Sequence, residues 1–301
     1  MTDLIILGNG MAGMTAALYA KRANLDFRLV GKDEFDFGQI GDAILVDNYP
    51  CAAGLSGFDL AMKLHDQLED NGINIEEHEV INIFKDKENN CFVIEYNDGT
   101  IANAKTVIYA LGASHRKLNC KIEGEVSIHY CALCDGALYK NKDVIVIGGG
   151  DSAFTQAEYL SKICSHVQIL MCDTNITANK NLIKRVKANQ KIDICYNYPV
   201  DHIKQTGNNA YALFSQGVRG FFVTKGIFVA IGMIPNTQII APSLPITSQG
   251  YIVADENCQT ISSGFFAAGD VRAKQLRQSI TAAADGANAV QSVINYLKTL
   301  D

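Results

Sequence analysis

Leu4-Ile5-Ile6-Leu7-Gly8-Asn9-Gly10-Met11-Ala12-Gly13 opens the chain with four apolar residues that run straight into three glycines spaced G-x-G-x-x-G. The apolar run reads as a buried strand, Met14 to Ala23 as a helix rich in Ala and Leu, and Phe27 to Val30 as a second strand. Glycines at the strand-to-helix turn of a βαβ unit mark a dinucleotide-binding core. Gly8 allows the tight turn, Gly10 lets a pyrophosphate approach the backbone, and Gly13 lets helix and strand pack closely. With Met11 and Ala12 they place backbone N–H groups at a helix N-terminus, where anions bind. The acid that normally ends the second strand and bonds the ribose hydroxyls is replaced by Gly31, with Asp33 and Glu34 just beyond.

The pattern recurs. Asp143 to Ile147 leads into Gly148-Gly149-Gly150-Asp151-Ser152-Ala153, a helix runs through Glu158 to about Lys162, and Val167 to Met171 forms the next strand. Two β-rich runs end at glycine late in each half, Val107 to Gly112 and Gly226 to Gly232, and read as crossings between domains. Gly264 to Val271 forms a strand ending in a Gly269-Asp270 turn, followed by a helix over Ser279 to Leu297. The expected fold is α/β, with two Rossmann-like three-layer domains and the second inserted in the first. Residues 1–114 and 244–301 form the outer domain and 115–243 the insertion, with linkers near Ala113 to Leu118 and Ile234 to Pro242.

At 301 residues, two domains of ordinary size are the natural expectation. An apolar fraction of 48% with 19% charged residues fits a compact globule rather than a disordered chain. No apolar run is long enough to span a bilayer, and the chain runs directly into its first strand, so a cytoplasmic protein is expected. A net charge of −6 argues against nucleic acid as a partner. Nine cysteines without a leader suit a reducing compartment, and their odd number excludes a fully paired framework. One pair alone, Cys131 and Cys134, has C-x-x-C spacing, and no second pair or spaced histidines complete a zinc site. No metal is expected.

Tyr130-Cys131-Ala132-Leu133-Cys134-Asp135-Gly136 carries the chemistry. Two cysteines so spaced close a small disulfide, and at a helix start the exposed N–H groups favour the thiolate. Asp135 is placed to carry the proton that thiol–disulfide exchange moves. The other seven cysteines are most simply small packing residues. His129, two before Cys131, reads as a strand residue that is in reach to tune the thiolate.

Together these segments resemble the low-molecular-weight thioredoxin reductases. Gly8-x-Gly10-x-x-Gly13, Gly38-Gln39, Asn48-Tyr49-Pro50, Cys131-x-x-Cys134-Asp135-Gly136, Gly148-x-Gly150-x-x-Ala153, Ala268-Gly269-Asp270-Val271 and Arg277-Gln278 occur in family order. The resemblance implies FAD in the outer domain, contacted by Gly8, Gly10, Met11, Ala12, Gly13, Gly38, Gln39, Asn48, Gly112, Gly269 and Arg277, with Asp270 on the ribityl chain and Gln278 near the flavin ring. It implies that Cys134 faces the flavin, that Cys131 attacks the disulfide of thioredoxin, that Asp135 is the acid/base, and that the protein is a homodimer.

One family element is missing. NADPH-dependent members carry a His-Arg-Arg-x-x-x-Arg run after the second core's strand, where arginines bind the 2′-phosphate by charge-assisted hydrogen bonds. Here those positions are Met171, Cys172, Asp173 and Thr177. Losing such bonds costs about 1.5 to 3 kcal/mol each. The first expectation is therefore electrons from reduced ferredoxin, as in the ferredoxin-dependent flavin thioredoxin reductases that lack this site. The alternatives are preference for NADH, replacement of the arginines by Lys180, Lys184, Arg185 or Lys187, a dithiol oxidase running the same parts backwards, and a flavin-bound scaffold without turnover. Lys180, Lys184, Lys187 and Lys191 fall at helical spacing and read as a solvated face that an acidic ferredoxin could meet.

Overall fold

A computed structural model describes residues 1–300 apart from 44, 45, 47, 208, 209 and 241–243. The chain divides into two compact units, Met1–Ser114 with Ile234–Asp301, and His115–Met233. The second unit is thus inserted in the first. Its return crossing falls at Met233/Ile234 rather than at 243/244, because Ile239 and Ile240 already pack in the outer unit's core beside Ile83. Of the expected second linker, Ala241 and Pro242 lie outside the described residues.

In the outer unit the first strand, Thr2–Leu7, lies between Phe27–Gly31 and Ile101–Tyr109, parallel to both. The long Ile101–Tyr109 strand then pairs twice on its far side. Its first half takes Cys91–Tyr96 antiparallel, and its second half takes Phe265–Ala267 parallel. Side chains alternate between sheet faces. Leu4 and Ile6 pack with Met14, Ala17, Val290 and Val293 on one face, while Ile5 and Leu7 pack with Val107, Tyr109 and Phe265 on the other. Covering both faces is why the strand is apolar throughout.

The first helix is Met11–Arg22, three residues earlier at its start than the apolar pattern suggests, so the glycine motif runs into its first turn. It packs on the last helix, Ser279–Leu297, where an added Cβ at Gly286 would lie 2.2 Å from the Ala12 carbonyl oxygen. The approach is close because small residues line both helices. Leu7, Tyr109 and Ala267 end their strands at the same edge of the sheet, level with Val30, and from that edge the turns bearing Gly8, Gly112 and Gly269 leave. Open parallel sheets bind ligands at such an edge.

The inserted unit repeats the scheme with five parallel strands in the order Ile192–Cys195, His166–Leu170, Asp143–Ile147, Gly226–Val229, Ile128–His129. A second sheet of four strands, Phe221–Thr224, Ala210–Phe214, His202–Gly207 and Lys121–Glu123, accompanies it. Val144 and Val146 pack with Phe154 and Ala157 of the Asp151–Leu160 helix, and Ile145 and Ile147 with Tyr198, Ile203 and Leu213. Among the described residues no helix is long and apolar enough to cross a membrane.

Candidate active site

The cysteine pair stands just past the end of the short Ile128–His129 strand, which is held in register by Phe228. Cys131 caps a single helical turn, Ala132–Asp135, and its sulfur accepts the Cys134 amide at 3.2 Å. The cysteines form a disulfide with Cα atoms 5.3 Å apart, within the span such a bond requires. One turn is too short to supply the helix dipole expected from the spacing; the Cys134 amide N–H is the donor seen at the Cys131 sulfur. The pair is fixed from behind by Gln156 of the Asp151–Leu160 helix, whose Oε1 accepts the Ala132 amide at 3.2 Å and whose Nε2 donates to the Tyr130 carbonyl at 3.2 Å. Sequence reading did not single out Gln156, because a polar residue on a helix face gives no sign of what it will meet.

Asp135 follows directly and is buried. Its Oδ2 is 2.9 Å from Nδ1 of His129, and Nε2 of that ring is 2.6 Å from the Tyr139 hydroxyl. His129 is therefore a bonded partner of Asp135 rather than a bystander in the strand. Burial pushes the Tyr139 phenol up to about 12, with Tyr211 and Asp135 adding to the shift. Oδ1 of Asp135 has no hydrogen-bond partner.

In the outer unit, Gly8 takes φ +105, and a Cβ on it would lie 2.5 Å from the Ala110 carbonyl oxygen. A Cβ on Gly13 would meet the Gly8 oxygen at 1.7 Å, whereas one on Gly10 would meet nothing nearer than the Phe37 oxygen at 3.5 Å. Packing therefore dictates Gly8 and Gly13, and space kept open beside the helix start dictates Gly10. Gln39 donates through Nε2 to the Ala113 carbonyl. Asn48 Nδ2 donates to Gln278 Oε1 at 2.9 Å. Gly112 and Gly269 both take positive φ, +64 and +79.

The Asp270 side chain is partly buried, its solvent-shielded Oδ1 lacks a hydrogen-bond partner, and Lys274 Nζ stands 4.0 Å away. Burial holds its carboxyl above the usual range against the opposing pull of Lys274 and Arg277. The Arg277 guanidinium lies 3.9 Å from the centre of the Tyr251 ring, and its Nε is likewise unpartnered.

The replacement of the ribose acid has a steric cause. The Asn9 side chain occupies the space beside Gly31, where a Cβ would fall 2.5 Å from Asn9 Oδ1. Asn9 Nδ2 donates to the backbone carbonyls of Asp33 and Glu34. The two carboxylates are also engaged, Asp33 by the Phe35 amide and Glu34 by His65 Nε2 at 3.2 Å.

A profile of the pyridine nucleotide-disulphide oxidoreductases matches residues 2–287. The chain belongs to this family. It is 36% identical to a thioredoxin reductase of Listeria innocua, with 99% of this chain and 94% of that protein covered. A solved thioredoxin reductase of Streptococcus pyogenes is 34% identical and superimposes with a TM-score of 0.89 over 99% of both chains. A ferredoxin-flavin thioredoxin reductase of Clostridium acetobutylicum, at 24% identity and a TM-score of 0.56 over 99% of this chain and 98% of that one, shares the fold.

As a member of this family the protein is an oxidoreductase acting on disulfides, and its cofactor is FAD. The outer unit fits that cofactor. Gly10 leaves room for a pyrophosphate at the helix start, and Asp270 Oδ1 is a buried acceptor awaiting a donor such as a ribityl hydroxyl. In the inserted unit, the positions expected to lack the family's cations are among the described residues. Met171 is buried against Gly149, while Cys172, Asp173 and Thr177 are exposed and bring no cation. Asp173 caps its own turn through the Asn175 amide. Arg185, one candidate substitute, donates from Nε and Nη2 to the two carboxylate oxygens of Glu158.

Two further expectations change. The lysine-bearing helix ends at Ala188, so Lys191 lies beyond it and donates instead to the Cys164 carbonyl at 3.2 Å. Cys91, Cys164 and Cys258 are buried packing residues, but Cys51 and Cys172 are exposed.

Proposed function

We propose that this enzyme reduces the disulfide of thioredoxin and takes its electrons from reduced ferredoxin rather than from NADPH. The carrying observation is the cation-free segment Met171–Thr177 at the end of the His166–Leu170 strand, with a carboxylate where the family places arginine. A 2′-phosphate there meets repulsion instead of charge-assisted bonds. When bound, FAD would supply the Cys131–Cys134 disulfide with two electrons, one from each of two reduced ferredoxins.

The residues of this chain then carry the exchange. Asp135 takes the Cys131 thiol proton. The Cys131 thiolate attacks one sulfur of the thioredoxin disulfide, that S–S bond breaks, and the departing thiolate receives the proton back. Cys134, its proton lost to solvent, next attacks Cys131 Sγ; the mixed disulfide breaks, the internal disulfide re-forms, and the displaced thioredoxin thiolate takes up a proton from solvent. Gln156 keeps the two sulfurs at attacking distance by holding the backbone on both sides. Asp270, Gln278, Asn48 and the Gly8–Gly13 turn would hold the cofactor. By resemblance the enzyme works as a homodimer, which sedimentation velocity tests.

A second reading has its own observation. The Gly148–Gly150 turn still leads into a helix start, and Asp173 is an exposed acid near the strand end, a combination that suits the 2′-hydroxyl of NADH. Anaerobic bleaching of the flavin band, with NADPH, NADH and photoreduced ferredoxin supplied separately, decides between them. Rapid bleaching by ferredoxin alone supports the proposal. Rapid bleaching by either nicotinamide overturns it.

A further inference from the structure

Asp135 is buried beside a dithiol, and a buried carboxyl that moves protons must be held in one orientation to do so efficiently. The chain supplies a holder from a different element. His129 ends the edge strand, is 4% exposed, and places Nδ1 2.9 Å from Asp135 Oδ2. The other ring nitrogen is 2.6 Å from the Tyr139 hydroxyl. Phe228 of the neighbouring strand packs on the ring at 5.2 Å between centroids. Beyond Tyr139 stand Lys142, 5.6 Å from its ring centre, and Tyr211. No other ionisable side chain bonds to the His129 ring among the described residues.

We propose that His129 is a positioning residue for the exchange, its Nδ1–H holding Oδ2 of Asp135 while Tyr139 locks the ring in that tautomer. Oδ1, which has no other partner, is then the oxygen that trades protons with the sulfurs. The inference rests on the proposed reduction of thioredoxin. Its logic is that of an imidazole with two nitrogens and one proton. Oδ2 of Asp135, as a carboxylate oxygen, only accepts, so the ring proton resides on Nδ1 and Nε2 accepts from the Tyr139 hydroxyl. Both ring nitrogens and the phenol are satisfied with a neutral ring and an ionised carboxylate. As Cys131 attacks, its proton passes to Oδ1 of Asp135. As the partner thiolate departs, the same proton leaves Oδ1 for that sulfur, and the Oδ2 contact is unbroken throughout.

The test uses intact flavoprotein reduced chemically with dithionite, which removes any dependence on the natural donor, and mixed with oxidised thioredoxin in single-turnover experiments across the neutral pH range. H129N slows thiol formation about 10- to 100-fold, a share of the 10²- to 10⁴-fold that positioned proton transfer contributes. Y139F slows it less, and both variants displace the pH profile. Added to D135N, H129N costs nothing further, because a holder matters only while it has something to hold. Unchanged pH profiles in H129N and Y139F, or an H129N penalty of full size on D135N, overturn the positioning role. Wild-type enzyme that does not reduce thioredoxin overturns the substrate reading and the inference with it. If H129N fails to fold, Y139F and its combination with D135N carry the same comparison.

Discussion

The carboxylate of Asp285, in the middle of the last helix, accepts the backbone amide of Gly269 at 2.9 Å. The same side chain receives Arg272 Nη1 at 3.1 Å and Lys274 Nζ at 2.9 Å, all within a buried cluster. One acid on a helix thus fixes the turn that bears Asp270. In D285A two buried cations lose their nearest counter-charge, keeping only the more distant Glu256 and Asp270, and the Gly269 N–H loses its acceptor. The expected loss is about 3–5 kcal/mol, the usual cost of breaking a buried pair from one side. Denaturant unfolding measures it, and flavin content should fall in parallel. A variant that unfolds like wild type and keeps its flavin would show that the cluster is incidental.

Gly10 and Gly13 make opposite predictions from one motif. In G13A the new methyl must displace the Gly8 carbonyl, so the outer unit is destabilised with or without cofactor. In G10A the methyl meets only ordinary contacts, so the apoprotein melts near the wild-type temperature while FAD affinity drops. Calorimetry of the apoproteins together with FAD titration separates the two effects.

Asp270 links stability to pH. Burial raises its folded-state value above that of the unfolded chain, so its contribution is favourable at acid pH and is lost as pH rises through the folded value. At neutral pH the ionised group therefore counts against the apoprotein. D270N should melt higher than wild type as an apoprotein at neutral pH, with the difference vanishing in acid, and should bind FAD more weakly. A melting difference that widens toward low pH has the wrong sign.

Trapping distinguishes the two cysteines. C134S leaves Cys131 able to attack but unable to resolve, so a mixed disulfide with thioredoxin accumulates and turnover stops while FAD remains bound. C131S should trap none. Non-reducing electrophoresis with mass mapping of the adduct reads this, and an adduct on Cys134 would exchange the roles assigned here.

The donor preference is open to a gain-of-function test. C172R/D173R places two cations at the second core's strand end, and each charge-assisted bond to phosphate is worth about 1.5 to 3 kcal/mol, tenfold or more in affinity. NADPH-dependent bleaching should rise accordingly. No rise would show that the inserted unit lacks a usable nicotinamide site for reasons other than charge.

Both glycine turns, the insertion of one core in the other and the C-x-x-C-D segment were legible in the sequence. Each is written in local, contiguous residues whose backbone demands or spacing have few alternative meanings. Gly8 and Gly13 are needed because a side chain has no room there, and that need shows directly in the letters. The missing cations of Met171–Thr177 were legible for the same reason.

Tertiary structure decided what depends on residues distant along the chain. Gly31 replaces an acid because Asn9 fills its space from 22 positions earlier. Gln156 grips the cysteine segment from the next helix, and Asp285 reaches back to Gly269. His129 looked like a strand residue until Asp135 and Tyr139 closed on its two nitrogens. A side chain's composition states what bonds it is able to make. Only packing chooses the partner, because a buried polar atom takes whichever complementary group the fold leaves within hydrogen-bond reach.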